Sequence, residues 1–447
     1  MNHDMTTGKP ISLIIRFMIP VYLGSLFQQF YNLADSVIAG RFIGVNALAA
    51  IGSTTSLIFL VIGWLNGLTS GFAILVAQSY GAKDYKRMRH YLAMSIYLCL
   101  GMVVVMTTLL EIFNIPILQM MNTPADIMAD VAAYMRVIYA GLIVTAAYNG
   151  FSAVLRAIGD SKSPLYFLMI SAVINVVLDV VFVVYFHAGV VGCGYATVIA
   201  QGISALLCLI YIIKNNDILK ITKADMPFSF DSMFKMLGLG VPMALQFSIT
   251  AIGTVIVQGA INIYGAVYIA GFSAAGKVQN IVMTVFISFG ATIATYVGQN
   301  RGAGKMDRVR EGVKVTQWLL LGSSLVIAVF ITLCGVPLAS LFVGEGDPGV
   351  LEAAGIYYRT VTWCYPFLAS IFLYRNALQG LGYGLVPMLG GVFELVARFG
   401  VVALLNGRGG YQGVCFSDPA AWLFALIPIV PYYYWKRKQL RDRVSET

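Results

Sequence analysis

Long apolar runs separated by short polar gaps set the pattern of this chain. A run needs about 20 apolar residues to cross a bilayer as a helix. By that measure the chain predicts twelve spans, near 13–38, 48–77, 92–113, 131–155, 165–186, 190–213, 236–262, 267–297, 315–342, 355–379, 386–405 and 420–436. The runs near 48–77 and 267–297 exceed a minimal span, which implies tilt or extension past the membrane. The last run is interrupted by Pro428 and Pro431, but Tyr432–Trp435 and the basic tail behind them suit an inner interface. The fold class expected is an all-α polytopic membrane protein.

The pattern also repeats. Gln78-Ser79-Tyr80-Gly81-Ala82 returns as Gln299-Asn300-Arg301-Gly302-Ala303, each copy followed by a basic amphipathic stretch. Ile19-Pro20 returns as Val241-Pro242, and Leu155-Arg156-Ala157-Ile158-Gly159 with Pro164 returns as Leu378-Gln379-Gly380-Leu381-Gly382 with Pro387. Three matches in one register imply a duplicated six-helix unit. Six is even, so both copies enter the membrane in the same direction, as parallel repeats with a substrate path expected between them. The expected layout is an amino-terminal lobe over 1–214, a cytoplasmic linker over 215–231 and a carboxy-terminal lobe over 232–447. No soluble domain or nucleotide-binding loop is legible.

Composition agrees with the pattern. The 447 residues are 59% hydrophobic and 11% charged, with mean hydropathy +0.81, whereas soluble domains carry about 25% charge. The net charge of +9 matters through its placement. Basic residues fill alternate gaps (Lys83, Lys86, Arg87 and Arg89; Lys214, Lys220, Lys223 and Lys235; Arg301, Lys305, Arg308, Arg310 and Lys314; Lys436–Lys438). The other gaps hold Glu111, Asp126, Asp130, Glu345, Asp347 and Glu352. This alternation follows the positive-inside rule and excludes a nucleic-acid surface; it expects both termini in the cytoplasm. The six cysteines lie in or beside apolar runs without a C-x-x-C pair, so packing cysteines are expected. The start lacks a signal-peptide cleavage pattern, and the first span is expected to remain in the mature protein.

Few charges fall well inside spans: Asp35, Asp179, Lys277, Glu394 and Arg398. Intramembrane carboxyls are costly and usually face a protein interior or a water-filled cavity. Asn175 lies four residues before Asp179, on the same helix face. Asp179 sits nine residues before Ala188 and Thr197 nine after it, so antiparallel spans five and six place both roughly 13 Å below the outer turn. Asp35 lies about 9 Å below its own turn by the same rise. Asp35, Asn175, Asp179 and Thr197 are therefore expected to converge. They offer oxygen ligands suited to H+ or to a hard cation such as Na+. The bland alternative is two acids capping buried hydrogen bonds. Pro20 in span one removes a backbone donor and is the expected hinge.

The second half is not a copy in its chemistry. The position matching Asp35 falls near the uncharged Gln258. Glu394 and Arg398 are spaced as an i,i+4 pair, readable as a structural ion pair or as part of a transport path. Lys277 lacks a partner nearby in sequence and could pair with Glu394 or line a path for anions. The amides of Gln28, Gln29, Asn32 and Gln246, with Lys277, Glu394 and Arg398, are candidates for lining a substrate cavity. His3, His90 and His187 lie near ends or loops, so no histidine metal cluster is expected. Ser273 and Lys277 have i,i+4 spacing without an oxyanion-hole motif, and no enzyme or resident cofactor is expected.

Pro20 with Asp35 and Ser36, the Gln78–Ala82 string and its repeat, Asn175-x-x-x-Asp179 and Thr197 together resemble the multidrug and toxic compound extrusion (MATE) family of secondary transporters, bacterial type. The resemblance runs over nearly the whole chain. It implies a multidrug efflux antiporter of the plasma (inner) membrane, a monomer exchanging small amphipathic, often cationic drugs for inward-moving H+ or Na+. It implies Asp35, Asn175, Asp179 and Thr197 as the coupling site. Some branches add a glutamate on span seven; here that span offers Gln246, Ser248 and Thr250. A carboxy-lobe cation site built that way is not expected, and Glu394 is the remaining substitute. The rival reading is a lipid or lipid-linked oligosaccharide flippase of the same superfamily, which calls for a more cationic cavity than Lys277, Arg375 and Arg398 supply.

Overall fold

The computed structural model describes residues 4–121, 123–343, 347–405 and 409–445, with the side chains of 32, 33, 36, 45, 46, 48, 49 and 441–445 outside that description. Among these residues the chain is helical and without strands. In the first half the helices are α1 Pro10–Ile38, α2 Val45–Gly81, α3 Tyr85–Ile112, α4 Asn114–Met120, α5 Met128–Ala140, α6 Leu142–Ala157, α7 Lys162–Val180 and α8 Gly189–Asn215. In the second they are α9 Phe230–Asn262, α10 Ala266–Gly302, α11 Met306–Ser340, α12 Pro348–Val361, α13 Tyr365–Gly380, α14 Leu385–Leu405, α15 Gly410–Cys415 and α16 Ser417–Ser445.

Helices starting at 10, 45, 85, 128, 142, 162 and 189 have counterparts starting at 230, 266, 306, 348, 365, 385 and 410, the repeat the sequence shows. The turns repeat as well. Gly44 (φ 120°) and Gly265 (φ 92°) open α2 and α10 in backbone conformations that favour glycine. Lys83 (φ 59°) takes the left-handed place that Gly304 (φ 71°) takes in the other half.

Among the described residues ten helices are long and apolar enough to span a membrane, and the bent pair α5–α6 adds an eleventh, with a 45° break at Gly141. The twelfth expected span falls on the equivalent pair α12 and α13, interrupted by the 3₁₀ turn Thr362–Cys364. Two runs that read as single spans in sequence are therefore broken at matching places. Each piece is shorter than a bilayer needs on its own.

Contacts divide the chain into two compact units, Met1–Asp4 with Ile19–Ala244 and Met5–Met18 with Leu245–Thr447. The chain changes unit inside α1 and α9, beside Pro20 and Pro242, whereas the sequence places the join at 215–231. The reason lies in packing. The first half of α9 lies backbone against backbone on α2: a Cβ built on Gly71 would stand 2.5 Å from Gly240 Cα, and one on Gly67 2.5 Å from Ala244 Cα. Small residues permit such an approach, and it is how helices gain contact where both lipid and side chains are apolar.

The segment preceding α1 is tied down in the second unit. The Met5 amide donates to Gln299 Oε1 (2.9 Å), and its carbonyl accepts from Asn300 Nδ2 (3.1 Å) and Arg308 Nη2 (3.3 Å). Lys305 Nζ donates to the Thr6 carbonyl (2.9 Å). The segment preceding α9 is held in the first unit: Asp225 accepts from Arg89 Nε (2.9 Å), and its carbonyl lies 3.1 Å from His90 Nδ1. The Gln299–Ala303 string that repeats in sequence is thus part of a docking cradle for the amino-terminal segment.

Candidate functional site

In the first unit α1 carries Asp35, α7 carries Asn175 and Asp179, and α8 carries Cys193, Thr197 and Gln201. The helical rise alone places these groups at similar depth, and the structure brings their side chains together. Asp35 faces Asp179 and Thr197, and Asp179 also faces the Cys193 thiol. Asp179 is fully buried and Asn175 nearly so. Asp35 Oδ1, both Asp179 carboxyl oxygens and both Asn175 amide atoms are buried and reach no protein partner in full hydrogen-bond geometry. Buried polar atoms are rarely left so, because each forfeits its hydration. Five such atoms around two facing carboxyls make a set that a proton or a small hard cation would satisfy.

Both acid-bearing helices end in a wider π-helical turn, Ala39–Ile43 after α1 and Val181–Tyr185 after α7. The two turns pack on each other and on α8, with Ile38, Ala39, Val183 and Cys193 forming a small buried apolar cluster. π-Turns are uncommon and concentrate at functional sites. No residue pattern in the sequence signals them, and Cys193 reads there as a packing cysteine. Beside the acids, Tyr31 meets Gln28 and Gln201, and Thr145 Oγ1 donates to Gln201 Oε1 at 2.5 Å. Gln28 and Gln29 are exposed. The Asn32 and Ser36 side chains lie outside the described residues.

The second unit holds no matching acid pair among its described residues. Gln258, at the place of Asp35, is half-buried and donates to Asn262 Oδ1 (2.9 Å). Its charges form a different object. Glu394 Oε1 lies 3.4 Å from Arg375 Nη1 and Glu394 Oε2 lies 3.5 Å from Arg398 Nη1. Arg398 Nη2 continues to Asp418 Oδ1 (3.3 Å), and the Tyr357 hydroxyl donates to Asp418 Oδ2 (2.9 Å). Two cations and two anions alternate, so the network is neutral and ties α12, α13, α14 and α16 together. The expected i,i+4 pair is therefore one link of four. Arg375 appears in the sequence as a stray cation and Asp418 as a residue beside the last span; neither reveals its partner.

Lys277 does not reach Glu394. It is exposed, with its ammonium 5.1 Å from the centre of the Phe342 ring. The two arginines already occupy both oxygens of Glu394. Gln246 is buried and accepts from Gln379 Nε2 (3.1 Å), and Tyr365 donates to Gln279 Oε1 (2.6 Å). Both are interior hydrogen bonds within the carboxy-terminal unit.

A family model described as MatE matches residues 20–181 and 242–404, two stretches that begin at the two repeated prolines. The chain is 28% identical over 442 residues to the probable multidrug resistance protein YpnP of Bacillus subtilis, covering 97% of each. It is 24% identical to the probable multidrug resistance protein NorM of Thermotoga maritima, covering 84% of this chain and 81% of that one. Among solved structures, the crystal structure of MATE in the bent conformation superposes with a TM-score of 0.92 at 21% identity, covering 99% of this chain and 98% of that one.

Proposed function

Since the chain belongs to the MatE family of membrane transporters, we propose that it works as a cation-coupled efflux antiporter for small amphipathic, often cationic drugs. The observation that carries the coupling site is the meeting of Asp35 with Asp179 beside Thr197 and Asn175, with five buried polar atoms that reach no protein partner in full hydrogen-bond geometry. Relatives named as multidrug resistance proteins support the cargo class. The basic and acidic gaps support a plasma-membrane orientation with both termini in the cytoplasm.

In this reading H+ or Na+ enters the acid cluster from outside and lowers the affinity for bound drug, and drug taken up inside lowers the affinity for the cation. That reciprocity follows from linkage. The two units are the moving parts of alternating access, and α1 is the element that reports the state of the cluster, because it bears Asp35 on one side of Pro20 and belongs to the other unit before it. Exchange of one charged species for another needs no bond to break, so the chain acts as a carrier and not as an enzyme. It is taken to act as a monomer.

The test is drug movement in vesicles under separately imposed Na+ and H+ gradients, with Asp35→Asn and Asp179→Asn beside the native chain. One gradient should drive exchange, and each variant should lose it while still binding drug. Gradient-driven exchange at the native rate in both variants would refute the assignment of the site.

A further inference from the structure

The stretch that joins the two halves reads as a polar linker, yet its last part, 226–234, carries Met226, Phe228, Phe230 and Phe234, all exposed. Phe230 and Phe234, four apart on one face of the first turns of α9, are 68% and 66% exposed.

The level at which this segment lies is fixed by α3. Between His90 and Glu111 that helix carries no charged residue, a run of 20 residues and so the length that crosses a bilayer. Asp225 sits at the polar end of the run, held by Arg89 Nε (2.9 Å) and with its carbonyl 3.1 Å from His90 Nδ1. Three residues later Phe228 stands against Tyr97, with ring centres 6.4 Å apart, and the Tyr97 hydroxyl donates to the Met226 carbonyl (3.3 Å). From His90 to Tyr97 the helix rises by about 10 Å. Three extended residues span about the same distance. The segment therefore climbs along α3 from its polar end to the level of its apolar run. The neighbouring side of α3 is bare, with Ile96, Leu100 and Val104 exposed.

Irregular backbone at membrane depth is tolerated only where its polar groups are satisfied. Here the Met226 carbonyl has the Tyr97 hydroxyl, and Pro227 brings no amide hydrogen. The Ser229 carbonyl accepts from the Met233 amide (2.9 Å). The acids beside the segment are paired, Asp225 with Arg89 and Asp231 with Lys235. The Phe228 and Phe230 rings meet edge to face, 5.2 Å between centres. What faces outward is an apolar surface that runs from α3 across Phe228 to Phe234, with its neighbouring acids neutralised.

Such a surface takes either a protein partner or lipid, and its continuity with the bare side of α3 decides for lipid. We propose that residues 226–234 form an aromatic anchor that dips into the leaflet at the basic face of the protein. Its partner is the acyl-chain region of the bilayer, and it fixes the start of α9 to lipid. The embedding rests on α3 and not on the antiport reading; only the name of that leaflet, the inner one, follows from the proposed orientation.

The experiment places a fluorescent reporter in the segment of the full chain, reconstituted into phosphatidylcholine vesicles. Phe228→Trp and Phe230→Trp are compared with Lys86→Trp. Lys86 is exposed on the same side of α3 as Tyr97, eleven residues or about 16 Å back along the helix. The emission of the native chain is subtracted, and quenching by lipid with brominated acyl chains is set against quenching by aqueous acrylamide. Brominated lipid should quench Phe228→Trp and Phe230→Trp at least about threefold more than Lys86→Trp, and acrylamide about threefold less, as for aromatics held at the membrane. Each of the two substitutions keeps an aromatic ring, and the two positions are read independently. Drug exchange is no part of the readout, so failure of the anchor and failure of the antiport reading separate. These vesicles hold no other protein, so a surface reserved for a protein partner would be wet in them. Acrylamide quenching of both variants at the level of Lys86→Trp would overturn the proposal.

Discussion

Arg398 holds Glu394 and Asp418 at once, with Nη1 3.5 Å from Glu394 Oε2 and Nη2 3.3 Å from Asp418 Oδ1. It is 5% exposed and the Glu394 side chain 7%, so Glu394 cannot turn to bulk water when Arg398 is lost. Replacing one partner of a buried ion network leaves uncompensated charge and costs about 3–5 kcal/mol. Arg398→Met is therefore expected to lower the thermal unfolding midpoint in detergent far more than loss of an exposed arginine such as Arg359. Adding Asp418→Asn to Arg398→Met removes one stranded carboxylate and should recover part of the loss. A double variant that is no more stable than the single one would show that Asp418 is not left uncompensated by the loss of Arg398.

The segment before α9 gives a pH prediction. Asp225 is 2% exposed. That burial works against its charge, but the Thr222 hydroxyl and amide and the Arg89 guanidinium outweigh it and hold the carboxyl below the usual range. A carboxyl depressed in the folded chain contributes stability above its unfolded value and loses it as the pH falls through the folded value. Asp225→Asn should thus cost about 1.5–3 kcal/mol at neutral pH, the scale of a hydrogen bond to a charged group. The gap between native and variant midpoints should stay level from pH 8 to 5 and close below about pH 4. A gap that widens on acidification would contradict the assignment.

The helical layout and the common depth of Asp179 and Thr197 are legible in the sequence because both depend on spacing along the chain. Run length gives the spans, a constant offset gives the duplication, and the rise per residue brings Asp179 and Thr197 to one depth. What spacing does not give is rotation about each helix axis, where one residue turns the side chain by about 100°. Spacing therefore does not pair Asp418 with Arg398, and it leaves Lys277 open to Glu394 although its ammonium lies over the Phe342 ring. The assignment of the starts of α1 and α9 to these units is hidden in the sequence for another reason. It is set by close backbone approach at Gly71 and Gly240 and by main-chain hydrogen bonds at Met5. Neither leaves a side-chain pattern.

The amino-terminal segment is expected to depend on Asn300. Its amide donates to the Met5 carbonyl (3.1 Å) and the Tyr296 carbonyl (2.8 Å), and its Oδ1 accepts from Arg308 Nε (3.0 Å). Asn300→Ala breaks all three and leaves a buried carbonyl with fewer donors, a cost of about 1–3 kcal/mol. The loss should be local. Amide exchange over residues 5–18 should speed up by about tenfold or more, while α13 and α16 keep their native protection. Unchanged exchange at the segment would mean that Gln299, Lys305 and Arg308 hold it without Asn300.

The contact of α2 with α9 sets a steric limit made by backbone atoms in the amino-terminal unit. A Cβ on Gly71 would stand 2.5 Å from Gly240 Cα and 2.7 Å from its amide nitrogen, and neither atom belongs to a side chain that can swing aside. Even alanine must therefore push the two helices apart. Separation exposes Phe72, Leu68 and Leu239, all buried beside the crossing. Overpacking of this kind costs about 1–3 kcal/mol for a single methyl, and Gly71→Leu should cost more. Gly101 on α3, with open space where its Cβ would sit, is the matched control: Gly101→Ala gains helix propensity and should be neutral or slightly stabilising. The measurement is the thermal midpoint of Gly71→Ala, Gly71→Leu and Gly101→Ala in one detergent. The order expected is Gly101→Ala highest and Gly71→Leu lowest. Because the first half of α9 belongs to this unit, the Gly71 variants should also raise amide exchange over 230–244 and leave 245–262 near native. If Gly71→Leu matches Gly101→Ala, the helices do not approach as closely as the backbone contact requires.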